Sequence, residues 1–291
     1  VRVLVVGNRR SGRGGAESVC LEAVATLVRA GHEVMLTVSE EPPPADFSPE
    51  VVVVAGGDGS VHHLLPTLAD SGIPVYHLPL GTANLFARQF GMGRSVGMLA
   101  RALSAWRTRD IDLIEFNGRL AAVMVSLGPD AAVVHRVARR RAGPIRAASY
   151  VGPLLAELRG WSGGPVRVEA DGRTVVEDGR GVLVLANMRH YGGRFDPARR
   201  ADPQDGVLDV AFLPARTPTD LVRMAALARL GLHERARGVV MTRARTVRVE
   251  AAGVPAQADG EAVEHGGGMD VRVRERALRV LLPGERADRP L

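Results

Sequence analysis

Apolar residues along this chain come in short β-branched runs separated by stretches with helical period. Residues 1–6, VRVLVV, form one such run, closed by Gly7 and a polar loop, and predict a strand. Over 17–30, Val19, Ala23, Leu27 and Ala30 recur at helical spacing, and Gly31 stops the pattern as a left-handed C-cap does. Residues 33–38 and 51–55 predict further strands; the second is apolar at every position, as in a parallel strand covered on both faces. Residues 73–78 repeat the signal. Strands alternating with helices over short loops predict an α/β domain on a parallel sheet, whose ligands bind beyond the carboxyl ends of the strands.

The grammar changes near residue 108. Residues 109–116 and 120–126 flank Asn117-Gly118, the favoured two-residue hairpin turn. An arginine-bearing helical stretch covers 131–159, interrupted by Gly143-Pro144 and Pro153. Short strands follow at 166–169, 174–177, 182–186, 207–213, 239–249 and 269–273, with Asp171-Gly172, Asp178-Gly179 and Asp205-Gly206 as turns and one helix over 219–232. The expected architecture is α/β: an N-terminal parallel-sheet domain over 1–108, then a β-rich antiparallel second domain over 109–276. The last apolar run, 277–282, suits either domain, so 277–291 is free to return to the first.

Composition narrows the class. A chain of 291 residues, 46% hydrophobic and 24% charged, can bury a sizeable core, and it has no apolar run long enough for a membrane span. A soluble, cytoplasmic protein is expected, at most peripheral at the inner membrane face, and the N-terminal residues carry no signal-peptide pattern. The single cysteine, Cys20, excludes an intrachain disulfide and suits core packing on its helix. All 38 basic residues are arginine, which removes lysine Schiff-base chemistry, and a formal charge of +6 suits anionic partners. With 4% aromatic residues and no recognition motif, nucleic acid is not among them.

Three glycine-bearing loops fall at strand ends. Gly56-Gly57-Asp58-Gly59-Ser60 follows the buried strand at 51–55 and opens a helix carrying Val61. Glycines there let backbone N–H groups approach a polyphosphate, and the helix N-terminus adds a favourable dipole. A carboxylate at Asp58 makes sense beside phosphates if it holds Mg²⁺ or orients a donor. Pro79-Leu80-Gly81-Thr82-Ala83-Asn84 follows the next strand, where Thr82 and Asn84 offer short polar groups, or Thr82 caps a helix. Gly7-Asn8-Arg9-Arg10-Ser11-Gly12-Arg13-Gly14 follows the first strand; it lacks the Lys-Ser/Thr of a P-loop and the spacing of a dinucleotide fingerprint.

GGDGS, LGTANLFAR, NRRSGRGG and a late ADGE together resemble the diacylglycerol kinase catalytic family of lipid kinases, which includes sphingosine kinase-like proteins. Asn187, Gly192-Gly193, Pro197 and the segment DPQDGVLDV at 202–210 extend the resemblance over nearly the whole chain. It implies a nucleotide-binding domain like that of NAD kinase and phosphofructokinase, a β-rich lipid-binding domain, and a cleft between them where ATP, with Mg²⁺, meets a lipid hydroxyl. By position it implies ATP contacts at Asn8, Arg9, Arg10, Ser11, Gly12 and Arg13, at Ser39, from Gly56 and Gly57 through Asp58, Gly59, Ser60, Val61, His62 and His63, and at Gly81, Thr82 and Asn84. Asp58 matches the acid of the glycine loop. Asp259 and Glu261 match the late acids, one of which accepts the hydroxyl proton, and Asp202, Asp205 and Val207 match a structural magnesium site.

The residues by themselves allow blander readings. Asp259-Gly260 also reads as a surface turn like the other Asp-Gly pairs of that domain. Asp202, Asp205 and Asp209 lie close enough in sequence for an oxygen-rich cation site. The chain departs from the family pattern at Arg9, usually proline, at Leu85, usually an acid, and at His62-His63, commonly Asn-Glu. With an acid lost at Leu85, either Asp58 and a neighbour such as Asp112 suffice near the phosphates, or turnover is slow. Adjacent His62 and His63 point to different helix faces, one buried and one exposed, and not to a metal. Arginines over 136–146 suit a solvated helix face or an anionic membrane surface. The expectation is an ATP- and Mg²⁺-dependent kinase of diacylglycerol or a related lipid, with a homodimer left open. A kinase of NAD or a sugar phosphate, or a homologue that binds nucleotide or lipid without turnover, are the alternatives.

Overall fold

The computed structural model of the chain describes residues 1–7, 16–38, 47–139, 164–192 and 195–284. It divides into two units, Val1–Ile111 together with the residues from Arg276 onward, and Asp112–Glu275. No helix among the described residues is long and apolar enough to cross a membrane.

Unit 1 runs β1 (Arg2–Gly7), α1 (Ala16–Arg29), β2 (Glu33–Val38), β3 (Val51–Gly56), α2 (Asp58–Leu68), β4 (Val75–Pro79), α3 (Leu85–Gln89) and α4 (Val96–Ala105). Its strands are parallel in the order β2-β1-β3-β4. Central β3 is buried at every position, which is why it carries no polar alternation. Gly7 pairs with Ala55, and Gly56 with Pro79, so the loops leaving β1, β3 and β4 start from one sheet edge. Helix α1 buries Ala16, Cys20, Ala23 and Leu27; Ala30 is exposed beyond its end, and Gly31 closes it at φ +85°.

Unit 2 is a sandwich of two sheets. The turn between β5 (Thr108–Phe116) and β6 (Arg119–Ala121) is made by Asn117 and Gly118, at φ +44° and +75°. Then come β7 (Met124–Leu127), α5 (Pro129–Arg139), β8 (Val166–Ala170), β9 (Arg173–Gly179), β10 (Gly181–Ala186), β11 (Leu208–Pro214), α6 (Pro218–Leu230), β12 (Val240–Ala244), β13 (Thr246–Glu250), β14 (Ala256–Ala258), β15 (Glu261–Val263) and β16 (Gly268–Leu281). One sheet has the order β12-β11-β10-β7-β14-β15. The other pairs β9 with β8, β8 with β13, and β13 with the first part of β16, which also pairs β5. Leu127, Val168, Leu183, Phe212 and Val247 meet in the core between them.

Two expectations change here. The run over 239–249 is two strands, because the chain leaves one sheet at Arg245 and enters the other: β12 pairs β11, whereas β13 pairs β8 and β16. The Asp171 carboxylate takes the backbone N–H of Arg245 and Thr246 at 3.0 and 2.9 Å, which holds the chain as it changes sheets. The runs at 269–273 and 277–282 are one strand, β16, which continues through Arg276 at φ +50° and adds Val280 beside Val75 in unit 1. The short hairpin β14–β15 has three residues a side, too few to show alternation. Most of the arginine-bearing stretch at 131–159 lies outside the described residues, which end α5 at Arg139.

Leu183 is fully buried in the sandwich core. Leu183→Ala is expected to cost about 2–5 kcal/mol of unfolding free energy, read as a lower urea midpoint with an unchanged slope.

Candidate active site

In unit 1 the loops after β3 and β4 touch backbone to backbone. A Cβ on Gly81 would stand 2.6 Å from the Gly57 Cα and 2.9 Å from Asn84 Oδ1, so only glycine lets these segments meet. Leu80 N–H donates to the Gly56 carbonyl at 2.7 Å, continuing the β3–β4 ladder into the loops. Gly57 caps α2 without a side-chain hydrogen bond, and the Ser60 N–H turns back to the Gly57 carbonyl at 3.0 Å. Asn84 uses both ends of its amide on Gly81, accepting from its N–H at 2.9 Å and donating to its carbonyl at 2.8 Å. It is Asn84, at φ +49°, and not Thr82, that stands at the N-cap of α3; Thr82 is exposed on the loop.

Asp58, in the first turn of α2, accepts the Phe86 N–H at 3.0 Å and so ties the two loops together. Arg94 Nε donates to the Pro79 carbonyl at 3.1 Å from the other side. Behind both loops His77 is fully buried, with Nε2 3.0 Å from the Gly56 carbonyl, and burial pushes its imidazole below the ordinary range against the opposing pull of Asp58. A neutral ring with its proton on Nε2 satisfies that carbonyl, while Nδ1 has no hydrogen-bond partner. His62 is half-buried and His63 exposed, their rings edge to face at 5.8 Å. Leu85 is buried, so this departure from the family's acid is filled by core packing.

In unit 2 the late acids form one hairpin. Asp259 and Gly260, at φ +51° and +88°, make the two-residue turn between β14 and β15, and Ala258 pairs with Glu261. The Asp259 side chain turns inward. Its Oδ2 takes the N–H of Ala122 at 2.8 Å, and its Oδ1 takes those of Val123 at 2.8 Å and Met124 at 3.0 Å. Buried Asn187 holds the same segment by its carbonyls, donating from Nδ2 to Ala122 at 2.8 Å and to Asp112 at 2.7 Å. Glu261 is half-buried one residue beyond the turn.

A second set of bonds supports the turn. Gln257 accepts the Gly260 N–H at 2.8 Å and donates to Ser126 Oγ at 2.7 Å; Ser126 and Tyr191 both donate to Asp130. Burial, and then the Asp130 charge, push the Tyr191 phenol well above its ordinary range. Sequence reasoning singled out none of these four. The one signal available was the place of Gln257 two residues before Asp259.

The 202–207 loop is anchored by buried Asp112, whose Oδ2 accepts the Gly206 N–H at 2.9 Å and whose own N–H donates to Pro203 at 2.7 Å. Asp202 accepts the Gln204 N–H at 3.1 Å, and Asp205 the Val207 N–H at 3.2 Å. Arg243 lies 3.3 Å from Asp205 and 3.6 Å from Asp209, whose carboxyl burial pushes up despite that guanidinium. Among the described residues no group of three acidic, histidine or cysteine side chains could hold a metal ion. Mg²⁺ keeps several waters and takes one or two carboxylates, which Asp202 and Asp205, with the backbone oxygen of Val207, would supply at this loop.

Asn8, Arg9, Arg10, Ser11, Gly12, Arg13 and Ser39 lie outside the described residues, as do Arg140, Arg141 and Arg146. A cleft of about 370 Å³ lined by Glu50, Trp106 and Arg279 lies where β3 and β4 begin, away from the glycine loops.

A parallel sheet with glycine loops at one edge, followed by a β sandwich with a buried acidic hairpin, defines a kinase-type fold, and comparison with known proteins gives the family. The diacylglycerol kinase catalytic domain matches residues 2–116, and the YegS C-terminal NAD kinase beta sandwich-like domain matches 123–282. The chain belongs to the diacylglycerol kinase and YegS-like lipid kinase family. It is 31% identical over 275 residues to a diacylglycerol kinase of Mycobacterium tuberculosis, covering 89% of this chain and 88% of that one. It is 32% identical over 281 residues to a probable YegS-like lipid kinase of Pseudomonas aeruginosa, covering 90% and 88%. A putative diacylglycerol kinase from Bacillus anthracis shares the fold with a TM-score of 0.75 at 19% identity, covering 97% and 95%. An NAD kinase from Archaeoglobus fulgidus, solved with ATP, shares it at 0.56 and 15%, covering 97% and 94%.

Two outcomes test the glycine edge. Gly81→Ala is expected to lose about 1–3 kcal/mol of stability and to weaken ATP binding in a calorimetric titration, because the loops must part to admit the methyl group. The His77 pKa lies below its ordinary value of 6.5, so the unfolded chain takes up a proton that the folded chain refuses. Stability from this group is complete above that ordinary value and is lost as pH falls through it, by up to about 1.4 kcal/mol per pH unit. His77→Gln keeps a donor for the Gly56 carbonyl and is expected to flatten that acid limb in denaturation curves.

Proposed function

We propose that this protein transfers the γ-phosphoryl group of ATP to a hydroxyl of diacylglycerol or a closely related lipid, with Glu261 as the proton acceptor. The observation that carries the assignment of the base is the occupation of Asp259: three backbone N–H groups converge on its two oxygens. A carboxylate whose two oxygens are spent on backbone donors is fixed in place and serves as an anchor for the turn. Glu261 follows the two-residue turn as the first residue of β15 and is half-buried, the other late acid of the hairpin.

ATP with Mg²⁺ supplies the electrophilic phosphorus and charge neutralisation. The chain's part is to bind and to orient. The loops at Gly56–Ser60 and Gly81–Asn84 bring the N-terminal dipole of α2 to the sheet edge, where it favours phosphate oxygens. Asp58 holds the second loop against the first and, among the described residues of that edge, is an acid that would hold nucleotide-bound Mg²⁺. Neutral His77 keeps the Gly56 carbonyl turned inward, away from the phosphates. In unit 2 the Asp259 and Gln257 bonds hold the turn so that Glu261 keeps one orientation as the hydroxyl proton leaves.

Incubation with labelled ATP, Mg²⁺ and a lipid extract, followed by organic extraction and mass analysis, tests the reading. A labelled phospholipid product is expected, with transfer lowered about 10²–10⁴-fold in Glu261→Gln at unchanged ATP affinity and melting temperature. Label confined to the aqueous phase, or full activity in Glu261→Gln, overturns it.

A further inference from the structure

We propose that the outward face of α6 docks the protein on an anionic lipid surface. Helix α6 begins at a capping box, Thr217 with Asp220, and ends at Gly231 at φ +71°. It buries Leu221, Met224 and Ala228 on one face. At 100° per residue, Val222, Ala226 and Leu230 form a second row at i, i+4 and i+8, pointing nearly opposite to the buried one. Val222 is 57% exposed and Leu230 69%, and Leu232, just past the helix, is 45% exposed. Single exposed apolar residues are ordinary, but a row aimed directly away from the core calls for an occupant.

The charges around the row select that occupant. Arg229 flanks it on one side and Arg223 on the other, both exposed. Residues 216–237 hold five arginines against two acids, and one of the acids, Asp220, is engaged by the capping box. Arginine stems lie along apolar surface while their guanidinium groups reach outward to phosphates, which is the arrangement of a helix seated at a headgroup boundary. Isologous pairing with a second copy would set these arginine rims against each other. The inference takes its motive from the lipid-kinase reading, since such a substrate resides in a bilayer, but its test needs no turnover.

The test is co-sedimentation, without ATP, with phosphatidylcholine vesicles that do or do not contain phosphatidylglycerol. The wild-type chain is expected to bind the anionic vesicles in preference. Val222→Ser with Leu230→Ser is expected to lower that affinity on the order of tenfold or more, and Arg223→Gln with Arg229→Gln on the order of tenfold with a flatter salt dependence. Because all four side chains are exposed, melting temperatures stay unchanged. Equal affinity of the wild type and both variants overturns the proposal, as does a dimer in sedimentation equilibrium that the serine variant abolishes while vesicle binding persists. A protein that docks as expected yet transfers no phosphoryl group to lipid contradicts the kinase reading alone. One that phosphorylates lipid but binds vesicles equally in both variants contradicts the docking alone.

Discussion

The Asp259 carboxylate holds the N–H groups of Ala122, Val123 and Met124, and unit 2 is organised around that bond set. Residues 122 and 123 lie between β6 and β7, where no neighbouring strand serves their backbone. Asn187 takes the Ala122 carbonyl with its side-chain amide; the N–H groups of Asn187 and Met188 take that of Val123, and Asp259 returns its own N–H to Met124. Buried peptide groups must find partners, and here two side chains remote in sequence provide them. The same Asn187 amide reaches the Asp112 carbonyl, and the Asp112 carboxylate holds Gly206. The late acidic turn and the 202–207 loop are thus parts of one hydrogen-bonded frame.

Unit 1 solves a different problem, the approach of two backbones. Glycines at 57 and 81 remove the side chains that would keep the loops apart, and Asp58, Asn84 and Arg94 then close them with bonds to backbone groups. The polar residues on these loops therefore build the cradle as well as line it. His77 shows the cost of such a site: a titratable ring is buried for one carbonyl, with its other nitrogen unpaired.

The alternation of unit 1 was legible because parallel strands buried on both faces leave uninterrupted β-branched runs, and because GGDGS and LGTAN each follow such a run directly. Asn117-Gly118 marked its hairpin for a local reason, the positive φ that the turn demands at both positions. What escaped the sequence was set by distant contacts. Arg245 carries no breaker signal, yet the chain changes sheets there because Asp171, 74 residues earlier, takes its N–H. Arg274-Glu275-Arg276 separates the apolar runs at 269–273 and 277–282, yet continues β16. Asp259 read as one more surface Asp-Gly turn; only the fold brings it to partners 135 to 137 residues away.

The proposed division of labour between the two acids that flank Gly260, Asp259 as anchor and Glu261 as base, is tested most directly by amide hydrogen exchange at Ala122, Val123 and Met124 in Asp259→Asn and Glu261→Gln. An asparagine offers one acceptor oxygen and turns a donor toward N–H groups, so exchange at these three amides is predicted to accelerate in Asp259→Asn and to stay at the wild-type rate in Glu261→Gln. Protection retained in Asp259→Asn, or lost equally in both variants, would contradict the account.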